Sequence, residues 1–211
     1  MEGILGVVVP LFVILIVSLS VHEAAHAWAA DRLGDPTARL LGRLTLNPLA
    51  HIDWIGTVLF PLIAIVSGFP LIGWAKPVPV NWGHLRSPRR DFALVALAGP
   101  VSNVLLAVAG AVVLQGIRIG EAPGAFAPLS LSVLLVAQFI QLNLFLAVFN
   151  MLPVPPLDGG NVLAGLVPEG VARLIDRIRP FGILILYALM FSGVLSVLYR
   201  PISAIVTRLL A

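Results

Sequence analysis

Four runs of predominantly apolar residues, near 4–30, 92–117, 130–151 and 181–199, each reach the roughly 20 residues a helix needs to cross the hydrocarbon core of a bilayer. A weaker run covers 54–73. In lipid every backbone polar group must be satisfied within the chain, so spans of this kind are helical. Composition agrees: 59% of residues are hydrophobic and 11% charged, against roughly 25% charged in soluble domains. The expected fold is an all-α polytopic membrane protein of about five transmembrane helices. The polar stretches 31–53, 75–91 and 168–180 are too short to fold alone, so residues 1–211 form one membrane-embedded domain. The first run opens on an acid, Glu2, and lacks a small-residue cleavage pattern, so it is expected to stay in the mature protein rather than serve as a signal peptide.

That first run carries His22-Glu23-Ala24-Ala25-His26. Histidines at i and i+4 stand one above the other on a helix face, so both imidazoles can reach one metal ion, with Glu23 beside them toward a metal-held water. From the four histidines and four glutamates of the chain, chance would produce roughly 0.001 such matches. Ionisable side chains inside a span cost roughly 2.5–3.5 kcal/mol each on insertion scales and mark function; a divalent ion offsets that cost by favouring imidazole and carboxylate ligands. With no cysteine in the chain, any metal takes His and carboxylate ligands, and a thiolate site or Cys nucleophile is excluded.

A catalytic zinc centre of this kind needs a third protein ligand and an open position. Asp158 is the acidic residue beside a long apolar run in a rigid, glycine-flanked setting, Asn150-Met151-Leu152-Pro153-Val154-Pro155-Pro156-Leu157-Asp158-Gly159-Gly160. Prolines 153, 155 and 156 forbid a continuous helix there, and broken backbone at membrane depth is tolerated only against protein or a wet cavity. A broken helix carrying the third ligand fits; an interfacial turn would be the reading if residues 22–26 were absent.

On these motifs, together with Ala98-Gly99-Pro100-Val101-Ser102-Asn103 and Gly73-Trp74-Ala75-Lys76-Pro77-Val78-Pro79-Val80-Asn81, the chain resembles the site-2 proteases, intramembrane zinc metalloproteases, in their compact bacterial branch. The resemblance implies Zn2+ on His22, His26 and Asp158, Glu23 as general base, and Asn150 contacting substrate backbone or the oxyanion. A helix-capping role for Asn150 stands beside that one. Between 92 and 160 there is no room for an inserted PDZ domain, and no CBS domain is expected after the last span, so any filtering of substrates would need a separate adaptor. The implied activity is hydrolysis of peptide bonds in transmembrane segments, in regulated proteolysis or signal-peptide clearance. The alternatives are a transporter with a midplane metal site, or a non-catalytic scaffold.

A substrate helix must unwind to be cut, and residues 73–81 could pair with it as a sheet edge or form an interfacial loop pinned by Trp74 and Trp82. His22, His26 and Asp158 lie at the C-terminal ends of their runs, so the first run and 130–151 point the same way and 54–73 cannot be a simple full span. It is expected to be re-entrant, broken at Pro61, Gly68 and Pro70. Ten basic residues (Arg32, Arg39, Arg43, Lys76, Arg86, Arg89, Arg90, Arg173, Arg177, Arg179) then share one face against Arg118, Arg200 and Arg208. By the positive-inside rule the site opens toward the cytoplasm, in a cell membrane. Basic residues crowded at the ends of spans report orientation, not nucleic-acid binding. His51 and His84 read as interfacial or solvated, Asp53 as a turn or cap, and Ser102 and Asn103 as helix-to-helix contacts.

Overall fold

The computed structural model describes residues 2–60, 63, 75–120 and 131–210. Eight helices are named here: α1 (Glu2–Arg32), α2 (Thr37–Leu40), α3 (Pro88–Gly120), α4 (Leu131–Asn150), α5 (Asp158–Leu166), α6 (Glu169–Ile178), α7 (Gly182–Phe191) and α8 (Val194–Leu210). Among the described residues there is no strand, in line with the all-α expectation. Three stretches are long and apolar enough to cross a membrane, Val9–Arg32, Pro88–Ile117 and Leu131–Asn150. A fourth candidate is the bent pair Glu169–Phe191 and Val194–Leu210. The last apolar run therefore differs from one helix over 181–199: it turns by 64° at a break where Gly193 takes φ +80°, a conformation that glycine adopts without penalty.

Local chemistry sets the helix ends. α1 stops at a glycine cap: Gly34 has φ +111°, the Asp35 N–H donates to Ala30 O at 2.9 Å, and Pro36 prevents continuation. α3 begins on Pro88, which gives up no helical hydrogen bond there. Its preceding Ser87 N–H donates to Asp91 Oδ2 at 2.7 Å while the Asp91 N–H returns to Ser87 O at 2.8 Å. α4 ends at Asn150, and the proline segment leads directly into α5 at Asp158. Gly159 and Gly160 permit that bend, since a Cβ on Gly159 would lie 2.3 Å from Met151 O and one on Gly160 2.7 Å from Pro155 N.

α3 runs antiparallel to both α1 and α4. As α1 descends from His26 to His22 its partners on α3 climb from Val95 to Asn103, while Asn103 meets Asn143 and Gly110 meets Ile140 on α4. α1 and α4 thus point the same way, and residues 33 and 88 sit at the same end of the bundle, as the parity argument requires. The proposed breaks at Pro61, Gly68 and Pro70 lie outside the described residues.

Packing divides the bundle lengthwise. Ala107 and Leu114 of α3, Val133, Ala137 and Ile140 of α4 and Val206 of α8 form an apolar core away from the site; Ala29, Ala30 and Val95 join α1 to α3 at the other end. Outward, Val9, Val13 and Val17 on α1 and Leu105, Val108 and Val112 on α3 are exposed, an apolar surface that a protein in water would cover. Arg89 fixes α5 to the start of α3, its Nε and Nη2 donating to Ala164 O at 2.8 and 2.7 Å and Nη2 also to Val167 O. Gly165 lets Ala93 close in, for a Cβ there would lie 2.3 Å from the Ala93 Cβ.

Asp35, fully buried, ties the end of α1 to the 81–84 turn. Its oxygens accept from the Thr37 N–H (3.0 Å), the Asn81 N–H (2.6 Å) and His84 Nδ1 (3.0 Å). Burial pushes its carboxyl up, but hydrogen bonds from the Thr37 hydroxyl, the Asn81 amide, His84 and the Thr37 amide outweigh burial and hold it below the ordinary carboxylate value. A depressed folded-state value means the stabilisation is whole above the unfolded value of about 3.9 and is lost as pH falls through the folded one. Hydrogen exchange at the Thr37 and Asn81 amides, taken relative to the intrinsic rate at each pH, should therefore stay strongly slowed down to about pH 4 and be less slowed below it. Asp35→Asn should accelerate it about tenfold at neutral pH, the scale of a lost charge-assisted hydrogen bond.

Candidate metal centre

His22 and His26 face inward from α1, one turn apart and both buried. Their rings meet edge to face at 86°, with Nε2 atoms 3.0 Å apart. Asp158, in the first turn of α5, brings Oδ2 to 3.1 Å from His22 Nε2 and Oδ1 to 3.4 Å from His26 Nε2. Carboxylate at a helix N-terminus is favoured by the exposed amides there. Glu23 is buried beside them, its carboxylate within 4.8 Å of the two imidazole ligand atoms. The structure thus brings together four of the five residues singled out in the sequence. Asn150 closes α4 half-buried, and no hydrogen bond joins its side chain to the described residues.

The donor set fits a cation. His26 Nδ1 lies 2.7 Å from Val95 O, a carbonyl that only accepts, so Nδ1 carries a proton and Nε2 is the nitrogen turned toward the other donors. It is aimed at a second imidazole nitrogen and a carboxylate, three electron-pair donors that need a positive centre between them, a metal ion or a proton. Space for one is kept by Gly99: a Cβ there would lie 2.4 Å from His26 Nε2 and 2.5 Å from His22 Nε2. Two imidazole nitrogens and a carboxylate are a zinc donor set, with Zn–N near 2.0–2.1 Å.

Residues 75–81 lie over the carboxylate of Glu23. Because Pro77 and Pro79 have no N–H, the Val78 amide is the lone donor of that triplet, and it donates to Glu23 Oε2 at 3.1 Å. On either side the Lys76 N–H donates to His51 O at 2.9 Å and the Asn81 N–H to Asp35. Arg43, buried, donates through Nη2 to Lys76 O. Within the chain itself no strand pairing involves residues 75–81.

Other sequence readings fare unevenly. Asp53 caps the turn at Trp54–Leu59 through Ile55 N and Gly56 N, as expected. His84 is half exposed. His51 is a correction: it is buried, not solvated, because Thr45 O satisfies its Nε2 at 2.8 Å inside the loop. Asn103 does bridge helices, and one of its partners is His22, with Nδ1 at 2.6 Å from Asn103 Oδ1. Ser18 and Asn143, also fully buried, escaped the sequence reading. Their signal was available: an asparagine within an apolar span needs an interhelical partner.

The chain is similar to known proteins along most of its length. The family model described as Peptidase family M50 matches residues 10–128 and 115–193. A Bacillus subtilis protein named "Putative zinc metalloprotease YwhC" is 41% identical over 194 residues, covering 90% of this chain and 84% of that one. Two proteins named "Putative zinc metalloprotease Rip2" are more distant. The one from Mycolicibacterium smegmatis is 30% identical over 184 residues, covering 86% of this chain and 66% of its own, and the one from Mycobacterium tuberculosis H37Rv 32% over 192 residues, covering 90% and 70%. No solved structure matches significantly.

Proposed function

This chain belongs to peptidase family M50 and is a membrane zinc metalloprotease, and from that premise we propose that it hydrolyses peptide bonds within transmembrane segments of other membrane proteins, with zinc held by His22, His26 and Asp158. The carrying observation is the convergence of two imidazoles and a carboxylate to within 3.4 Å, on a helix whose apolar window, Val9–Arg32, is long enough to span a bilayer. Family membership displaces the transporter and scaffold alternatives.

Bound zinc supplies Lewis acidity toward water and the scissile carbonyl. Glu23 moves the proton: Val78 N–H engages Oε2, leaving Oε1 to take a proton from the attacking water and return it to the departing amine nitrogen. Buried surroundings exclude bulk water, which strengthens each polar contact in the site. Asn150, with its amide unengaged by the described residues, serves substrate backbone or the developing oxyanion.

The lipid bilayer and a transmembrane-segment substrate are the proposed partners, with a separate adaptor in place of built-in filtering domains. Proposed location is a prokaryotic cell membrane, with the site toward the cytoplasm. Arg43 and Lys76, two of the ten basic residues assigned to that face, are in direct contact, which supports their sharing a side.

Purified protein in liposomes, given a model substrate with one transmembrane helix, should cut that helix within its apolar segment. Cleavage should stop on adding a zinc-selective chelator and return on restoring zinc. Products cut solely in water-exposed loops would overturn the intramembrane reading.

A further inference from the structure

Asn103, Asn143 and Ser18 come from three different helices, are all fully buried, and form one directional chain of hydrogen bonds ending on His22. Its direction is fixed at the far end. The main-chain carbonyl of Phe139 can only accept, so the nitrogen of the Asn143 amide must face it, at 2.9 Å. The same nitrogen donates to Ser18 Oγ at 3.0 Å. Asn143 Oδ1 is then left to accept from Asn103 Nδ2, at 2.9 Å. That turns Asn103 Oδ1 onto His22 Nδ1, at 2.6 Å, and an oxygen there requires Nδ1 to be the protonated nitrogen. His22 Nε2 is thereby the nitrogen left to face Asp158.

We propose that the Phe139 carbonyl sets the tautomer of His22 through two amides in series, making Asn103 and Asn143 positioning residues that commit Nε2 to the metal before it arrives. Reversing Asn143 sets its oxygen against Phe139 O and its nitrogen against Asn103 Nδ2, and reversing Asn103 sets its oxygen against Asn143 Oδ1, among fully buried groups where an unpaired polar atom is costly. The two histidines are therefore served differently. His26 is set directly by a main-chain carbonyl, Val95 O, whereas His22 borrows one, Phe139 O, through two side chains. The consequence for zinc rests on the reading above that His22 is a ligand; the tautomer itself does not.

Two measurements separate these. In zinc-free full-length protein labelled with 15N-histidine, the His22 ring signals should report the Nδ1–H form in the wild type. In Asn143→Leu, which frees the Asn103 amide to turn over, they should shift to a mixture or to the Nε2–H form. Zinc affinity, read by competition with a chromophoric chelator, should fall about ten- to a hundredfold in Asn143→Leu and Asn103→Leu, the range for loss of an outer-shell partner. Asn103→Asp and Asn143→Asp, each carrying a carboxyl proton that replaces the lost N–H donor toward Asn143 Oδ1 and Phe139 O respectively, keep the acceptor-and-donor order of the chain; both should remain within about threefold of wild type. A purely packing role would instead make leucine no worse than aspartate. The relay is overturned if Asn143→Leu leaves both the ring signals and the affinity unchanged, or, should the leucine variants not fold, if the aspartate variants lose zinc as badly as His22→Phe. Wild-type zinc affinity in His22→Phe would instead sink the ligand assignment, leaving the ring signals to judge the relay alone.

Discussion

Gly99→Ala should empty the metal centre while leaving the helices in place. The added methyl would sit 2.4 and 2.5 Å from the two Nε2 atoms, about where an ion bound to them would lie. Neither ring can retreat freely, because Val95 O holds His26 from behind at 2.7 Å and Asn103 holds His22 at 2.6 Å. Alanine is also a better helix former than glycine, so the backbone of α3 gains slightly. The expected result is zinc affinity at least about a hundredfold below wild type, beyond the loss from an outer-shell partner, with helical content unchanged by circular dichroism. Stoichiometric zinc and normal turnover in this variant would mean that the ion lies elsewhere.

Glu23→Gln should separate metal binding from chemistry. The glutamine oxygen still accepts from Val78 N–H, so residues 75–81 keep their anchor, and neither imidazole loses a partner. What disappears is a group able to take and return a proton. Removal of a positioned general base typically costs about 10²–10⁴ in rate, so cleavage of a transmembrane substrate should drop by that factor while metal analysis still finds one zinc per chain. Activity within tenfold of wild type would rule Glu23 out as the base.

Much of this centre was legible in the chain because helical periodicity is a local property. The spacing of His22 and His26 puts both rings on one face whatever surrounds them, and three prolines before Asp158 break a helix in any context. What could not be read is rotation. α1, α3 and α4 are apolar nearly all round, since lipid and protein neighbours ask for the same side chains, so periodicity does not say which face meets which helix. Hence Gly99, in the sequence no more than one member of the 98–103 motif, lies beneath the two imidazoles, and Asn143 passed unnoticed although it sits opposite Asn103. His51 misled for a related reason. A histidine in a polar loop reads as wet, but this loop folds over itself and buries the ring against Thr45 O. The bend in the last run depended on the positive φ of Gly193, which composition alone does not reveal.

α3 supplies none of the three proposed ligands, yet each of them is positioned by it. Arg89 and Ala93 seat the helix that bears Asp158, Val95 holds one imidazole, Gly99 leaves the room, and Asn103 holds the other imidazole. These positions run along roughly 21 Å of one helix. Tolerance to substitution should therefore be lowest on a segment that a search for chemical groups would pass over, and anyone grafting this centre onto another scaffold would have to carry α3 across whole, as the template against which the reactive parts are cast.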